Sequence, residues 1–342
     1  MAERAIFADP VRTHAAAWPR LASTAVMELA MWRAKVLLQF ILAHLPGGER
    51  INYLLQRLAG SYSPDKVEMR VITRVRELAQ LGKTVPLAGA EVAEIGTGWD
   101  AISALVFHLL GAKVIHTYDN VAHLREEQMR AALRILERRA AEVAAEAGLD
   151  KETLLEAVRR LQQAKGLPEL LDLTGIHYVA PGDATRTRLP DASVDLVYSH
   201  DVLEHVPPEV MALLVEEARR ILRPGGVALH YIATGDHYAT ASNGLSQVHF
   251  LKYPRWLWHL LVENRIIYLN RLREKQIVAI FERSGGQARV LSHVVHDRDV
   301  EAARRMRVAK EFAGMTPGRE PDVPCTTMKL AEPRAGDNRK SA

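Results

Sequence analysis

The sequence predicts an α/β fold: a doubly wound, mainly parallel sheet of seven strands, with a helical N-terminal cap and a helical insertion. Three observations carry that prediction. The apolar run Val92, Ala93, Ile95 stops at Gly96-Thr97-Gly98, and a helix-like run opens at Ala101. Glycines without Cβ allow a sharp turn and a close approach of ligand to main chain. Roughly 20 residues further on, Asp119 ends the next apolar run, the spacing of a nucleotide-type site. Beyond it, strand-like and helix-like segments keep alternating, which predicts parallel strands joined by right-handed crossovers.

The elements follow in order. Residues from about Ala15 to Leu81 read as helical, with apolar positions (Val26, Leu29, Ala30, Leu37, Leu38, Ile41, Leu42, Leu45) at helical spacing. Strand Glu91–Ile95 precedes helix Ala101–Leu110 and strand Lys113–Tyr118. Residues 122–173 are too long for one crossover helix. Gly148-Leu149-Asp150 and Gly166-Leu167-Pro168 divide this insertion, and its Arg/Glu-rich surface suits a solvated face with i,i+4 pairs. Strands Ile176–Ala180 and Val194–Ser199 follow, then helix Pro208–Leu222 with proline in its first turn. Arg223-Pro-Gly-Gly226 reads as a turn into strand Val227–Ala233, and Thr234–Pro254 as a loop. Two amphipathic helices, strand Ala288–Val295, helix Val300–Phe312 and strand Thr326–Ala331 complete the domain. The expected organisation is a cap over residues 1–85, a ligand-binding domain over 86–331 and a polar, disordered tail over 332–342.

Bulk properties narrow the function classes. The net charge of +4 is a slight excess of 45 basic over 41 acidic residues, and no basic–aromatic patch marks a nucleic-acid groove. One cysteine, Cys325, excludes an intramolecular disulfide and any CxxC metal site, which suits a reducing cytoplasm. The stretch 21–45 is long enough to span a bilayer, but Glu28, Arg33 and Lys35 interrupt it. It reads as a helix packed over the ligand cleft or as a peripheral membrane contact.

The glycine motif by itself leaves two cofactors open. Gly96-x-Gly98-x-x-Ala101 satisfies a dinucleotide pattern, which would make the chain a nicotinamide-dependent oxidoreductase. Glu94 favours S-adenosylmethionine (SAM): a carboxylate there repels a pyrophosphate but stabilises an ammonium and a sulfonium. Further motifs join it in order: Gly182-Asp183-Ala184, Asp195-Leu-Val-Tyr-Ser-His-Asp-Val-Leu-Glu-His-Val206 and Leu222-Arg-Pro-Gly-Gly226. Together they resemble the class I SAM-dependent methyltransferases over about Val92 to Ala331, apart from the insertion. The resemblance implies a Rossmann-like methyltransferase fold with SAM as cofactor. It implies cofactor contacts at Glu94, Gly96, Thr97, Gly98, Asp119 (ribose), Asn120, Asp183 (adenine amine), Ala184 and Ser199. One departure stands out: Asp100 occupies the place where many members carry a third glycine. A looser likeness, through Asp236-His-Tyr238, His249-Phe-Leu-Lys252 and Asn270-Arg271, is to a bacterial subset associated with glycans and specialised small molecules.

Methyl transfer from a sulfonium is an in-line displacement that needs positioning and exclusion of water. An alcohol acceptor must also lose a proton, and histidine is the natural base. The candidates are His200 and His205 after the fourth strand, and Asp236, His237 and His249 after the fifth. The last three read as a base with its orienting carboxylate or substrate contacts, as two ligands of a divalent ion completed by another carboxylate, or as a purely structural loop, and no metal is assigned to the site. Trp256, Trp258 and Tyr268 are expected to pack the following helices, and Arg265, Arg271 and Arg273 to be solvated. The expected acceptor is a small-molecule or glycan hydroxyl lying between the cap and the Thr234–Pro254 loop, with carbon or nitrogen acceptors as alternatives. A different class, a membrane-associated cofactor-binding protein without catalysis, is motivated by the N-terminal helix.

Overall fold

The computed structural model describes residues 22–58, 63–239, 245–264, 266–313 and 325–333. The expected start of the N-terminal helix near Ala15, residue Arg265, the proline- and glycine-rich loop before the last strand and most of the tail lie outside these residues. Strands β1 (Glu91–Ile95), β2 (Val114–Tyr118), β3 (Ile176–Val179), β4 (Val194–His200), β5 (Leu222–Ile232), β6 (Arg289–Val295) and β7 (Cys325–Pro333) form one sheet. Its order is β3-β2-β1-β4-β5-β7-β6. The first five strands are parallel, and β7 runs antiparallel to both β5 and β6. β1 is central, with Val92 opposite Ile115 on one side and Leu196 on the other. Buried on both faces, β1 reads as a nearly unbroken apolar run interrupted by Glu94. Connections leave β1 toward β2 and β3, then return to β4, so the switch point lies between the carboxyl ends of β1 and β4. Ligands of open α/β sheets bind there.

Helices α1 (Ala22–His44), α2 (Gly48–Leu58) and α3 (Pro64–Gly82) precede the sheet. Helix α3 buries Val67, Val71, Val75 and Leu78 in the same core as Leu105, Phe107 and Ile115, so it packs as part of the sheet's own helical layer. Helix α1 instead sends Trp32 and Val36 into a separate cluster with Tyr238, Val248, Phe250 and Trp258. The N-terminal region therefore divides in function, α3 supporting the sheet and α1 covering the segment after β5. Among the described residues, no helix is long and apolar enough to cross a membrane.

After α4 (Ile102–Leu109), the insertion resolves into α5 (Glu126–Arg138), α6 (Ala140–Ala147), α7 (Lys151–Gln162) and α8 (Leu167–Thr174). The anticipated breaks have local causes. Gly148 takes the left-handed conformation at φ 66°, Asp150 caps α7 by accepting from Thr153 N at 2.8 Å, and Pro168 sits in the first turn of α8. Arg130 bonds Glu126 one turn earlier on α5, as the charge spacing predicts.

Three boundaries differ from expectation by more than one residue, the first being the end of β7, where Glu332 and Pro333 pair with Ala228 and Val227 and so belong to the sheet instead of the tail. β5 begins at Leu222, directly after α9 (Pro208–Ile221), because Leu222 pairs with Val194 and Arg223-Pro-Gly-Gly226 becomes an irregularity within the strand. After α10 (Arg255–Leu261) and α11 (Glu274–Arg283), helix α12 spans Asp297–Arg305 instead of Val300–Phe312. Asp297 and Asp299 favour its amino end, and beyond Arg305 the chain extends so that Ala309 N bonds Leu251 O at 2.8 Å.

Candidate active site

The glycine loop leaves β1 with Gly96 at φ 86° and Gly98 at φ 70°. A Cβ on Gly96 would overlap Val202 of the turn after β4, so glycine is required there for space as well as for conformation. The left-handed step usual for a third glycine falls on Ala101 (φ 49°), while Asp100 Oδ1 accepts from Ile102 N at the start of α4. Trp99 stacks on Tyr53 of α2 at 4.6 Å, which ties the second helix to the cofactor loop.

Below this loop, the polar groups form a closed network. Glu94 is buried, and its Oε2 accepts from Thr117 Oγ1 at 2.9 Å. Thr117 spends its proton on Glu94, so Thr97 Oγ1, 2.6 Å away, donates to Thr117. Asp119 Oδ2 accepts from Gly98 N at 3.1 Å. Burial pushes Glu94 up to about 7 and Asp119 up to about 6, against hydrogen bonds that pull each down. Asn120 is exposed beside Asp119, and the exposed Asp183 accepts from both the backbone and the hydroxyl of Thr185. Ala184 packs against the second core cluster. Ser199 is a correction: its hydroxyl lies 2.7 Å from His230 Nδ1 in the sheet interior and is fully buried, so the side chain does not reach the cofactor cleft.

The acceptor-side candidates are separated by the fold. His200 lies 3.1 Å from Glu77 of α3 and 3.2 Å from Asp201. Burial alone would lower it, but hydrogen bonds to Asp201 and Glu77 outweigh that and hold it above the ordinary histidine value. The expected association of Asp236, His237 and His249 does not form. Asp236 is fully buried, accepting from Trp32 Nε1 at 3.0 Å and from Tyr238 N at 2.8 Å, and thus fastens α1 to the loop. His249 lies 3.2 Å from Tyr253 Oη, packs edge-on to Trp32 and lines a cavity of about 330 Å³ with Ser246, Lys252, Arg298 and Arg305. That cavity is built by the loop and α12, whereas the cofactor motifs sit at the ends of β1 and β2.

His237 turns instead to His205, their ring centroids 4.9 Å apart, and its Nε2 lies 3.8 Å from Glu204 Oε1. Sequence reasoning passed over Glu204, although it stands inside the quoted Asp201-Val-Leu-Glu-His205 run; a buried carboxylate between apolar neighbours was the available signal. The 3₁₀ turn Leu203–His205 that carries it is held by Asn270, whose Nδ2 donates to Leu203 O at 2.7 Å and Val206 O at 2.8 Å. His205 Nδ1 donates to Tyr268 O at 2.7 Å, which leaves Nε2 with the lone pair. Burial lowers His205, and burial and the neighbouring His205 bring His237 down to about 4, so both imidazoles are neutral near pH 7.

The expected solvation of Arg271 and Arg273 is also corrected, since both are buried. Arg271 donates to Phe250 O and Tyr253 O and lies over the Trp258 ring at 4.8 Å, and Arg273 donates to Thr234 O. Backbone carbonyls exposed by the irregular loop require such donors. Trp258 is buried as expected, whereas Trp256 is exposed.

A family model for a methyltransferase domain matches residues 130–230, which include β3, β4 and the turn bearing Glu204 and His205. No curated protein matches the chain in sequence. Solved structures that it resembles include an S-adenosylmethionine-dependent methyltransferase from Mesorhizobium loti, 18% identical over 76% of this chain and 98% of that chain, with a TM-score of 0.42. Another is an O-methyltransferase family protein from Burkholderia thailandensis, 11% identical over 83% of this chain and 64% of that one, TM-score 0.41. A third is phosphoethanolamine N-methyltransferase 2 from Haemonchus contortus in complex with S-adenosyl-L-methionine, 17% identical over 75% and 52%, TM-score 0.41. The methyltransferase match sets aside the nicotinamide-dependent alternative. The family match over residues 130–230, with the strand order and the motif sequence around it, marks a SAM-dependent methyltransferase domain of Rossmann-like fold in this chain.

Proposed function

We propose that this methyltransferase acts on a hydroxyl oxygen of a small-molecule or glycan acceptor. The single observation that carries the reading is the pair of imidazoles, His205 and His237, whose rings lie 4.9 Å apart beside Glu204 at the carboxyl ends of β4 and β5. In the reaction, an oxygen lone pair attacks the SAM methyl carbon. The carbon–sulfur bond breaks with its electrons returning to sulfur, S-adenosylhomocysteine leaves, and the hydroxyl proton passes to an imidazole. The cofactor contacts proposed are Glu94 and the Gly96–Gly98 loop toward the amino acid moiety, Asp119 and Asn120 toward the ribose, and Asp183 and Ala184 toward adenine. The acceptor then lies beneath α1, which the Trp32–Asp236 bond fastens over this end. Dividing the chain at residue 85 puts α3 with the cap by sequence, and its shared core supports assigning it to the catalytic domain instead. The single cysteine supports a cytoplasmic reaction.

The test is a tritiated-SAM assay against alcohols, phenols, amines and acidic sugars, with the product mapped by mass spectrometry. Label on oxygen is expected; label on nitrogen or carbon overturns the hydroxyl reading. A second reading, peripheral membrane contact through residues 21–45, is favoured by the exposed Met27, Met31, Leu37, Leu38, Ile41 and Leu45 of the α1 region.

A further inference from the structure

We infer that Glu204, His205 and His237 bind one divalent transition-metal ion, with an oxygen of the methyl acceptor as an external ligand. The carboxylate is the starting point. Glu204 is 3% exposed, and among the described residues neither of its oxygens has a hydrogen-bond partner. A buried charge without compensation is among the costliest arrangements in a protein. The charge nearest in influence, Asp201, has the same sign and worsens that cost. A cation supplies what the surrounding protein withholds.

The neighbours have the chemistry to complete such a site. One ligand atom each from Glu204, His205 and His237 lies within 4.8 Å of the others. Ligands bonded at about 2.0–2.2 Å stand roughly 3–4 Å apart, so side-chain rotations of about an ångström close the set. His205 already donates Nδ1–H to a backbone carbonyl, the outer contact that orients metal-binding histidines, which leaves Nε2 as the nitrogen free to bind an ion. Asn270 bonds three backbone groups of the 203–206 turn, so the ligands sit on a fixed frame. Two imidazoles and one carboxylate favour Zn²⁺, Mn²⁺ or Fe²⁺ over Mg²⁺, and three protein ligands leave open positions. Lys35 of α1 is the opposing cation, acting on His237 while the Asp236 carboxylate partly offsets its charge.

The external-ligand part rests on the hydroxyl-acceptor reading above; the ion site does not. With an ion present, the imidazoles act through it instead of as the base. A coordinated hydroxyl becomes more acidic, its proton leaves to water beside the half-exposed Asp201, and the resulting alkoxide takes the methyl group.

The experiment uses the untagged full chain, stripped with a chelator and dialysed separately against Zn²⁺, Mn²⁺ and Mg²⁺, with bound metal counted by mass spectrometry. One equivalent of Zn²⁺ or Mn²⁺ is expected, with Mg²⁺ bound at least about tenfold more weakly. Glu204→Gln and His237→Ala should each weaken retention by about 10–100-fold or more. SAM titration calorimetry on the same samples should give unchanged affinity, which shows that the variants are folded. Absence of a retained ion in a wild-type chain that binds SAM overturns the site, as does equal retention by the Glu204→Gln/His237→Ala double variant. Ion binding without SAM binding upholds the site and overturns the methyltransferase reading. Ion binding with methyl transfer indifferent to the chelator upholds the site and removes the external-ligand role.

Discussion

The two ends of the cleft differ in how their buried polar groups are satisfied. At the cofactor end, Glu94, Thr97, Thr117 and Asp119 bond one another and the loop backbone. At the proposed acceptor end, Glu204 lies buried with neither oxygen hydrogen-bonded among the described residues, and two histidines converge on it. Native proteins pair nearly all their buried polar atoms, so a carboxylate with both oxygens unpaired beside two imidazoles calls for a physical explanation. The first end satisfies its polar groups from the protein itself, and the second is where the proposed ion would bind. Its roof also differs in origin: α1 packs there through aromatic rings, whereas α3 merges into the sheet's own core.

The largest expected effect tests whether these ends are independent. Trp32 is buried, stacks on Tyr253 at 5.0 Å and donates to Asp236. Trp32→Ala should cost about 3–5 kcal/mol in denaturant unfolding, because it opens a cavity and strips a buried carboxylate of a donor. SAM affinity should hardly move. A parallel fall in SAM affinity would show that the roof and the cofactor loop form one unit.

Next in size is a pH effect confined to the cofactor end. Burial, opposed by the Thr117 hydrogen bond, raises Glu94 from 4.5 to about 7. The folded state therefore holds this proton more tightly than the unfolded state. The stability it contributes is fully present below pH 4.5 and is lost as pH rises through about 7. The loss amounts to up to about 3 kcal/mol. Asp119, raised from 3.8 to about 6, slopes the same way. Glu94→Gln should flatten the fall of wild-type stability over this window in urea titrations at several pH values. An unchanged slope would mean that Glu94 is ionised in the folded protein.

Asp119→Ala should weaken SAM binding by about 1–3 kcal/mol through lost charged hydrogen bonds, read by calorimetry. Unchanged affinity would remove Asp119 from the ribose site. The smallest effect concerns the outer face of α1, where Leu38 and Ile41 are exposed. Leu38→Glu/Ile41→Glu should reduce sedimentation of the chain with anionic vesicles while leaving SAM binding intact. No lipid-dependent sedimentation of the wild type would leave α1 as a roof alone.

The sequence by itself determined the alternation of elements, the glycine turn at Gly96–Gly98 and the acidic strand end at Asp119, because these are local. Periodicity and turn chemistry act over a few residues, and a backbone needing φ above zero announces itself as glycine. Similarly, the breaks at Gly148 and Pro168 were legible from single residues. Tertiary structure decided which side chains meet. Asp236, His237 and His249 lie close in sequence, yet the loop after β5 sends them to Trp32, to Glu204 and to the Tyr253 side in turn. Arg271 and Arg273 resemble solvated cations until the irregular loop presents carbonyls that require buried donors. Glu204 and His237 stand 33 positions apart, on the turns after two adjacent parallel strands. Only the sheet's register brings them together, since parallel pairing joins the carboxyl ends of strands that the sequence separates by a full helical crossover.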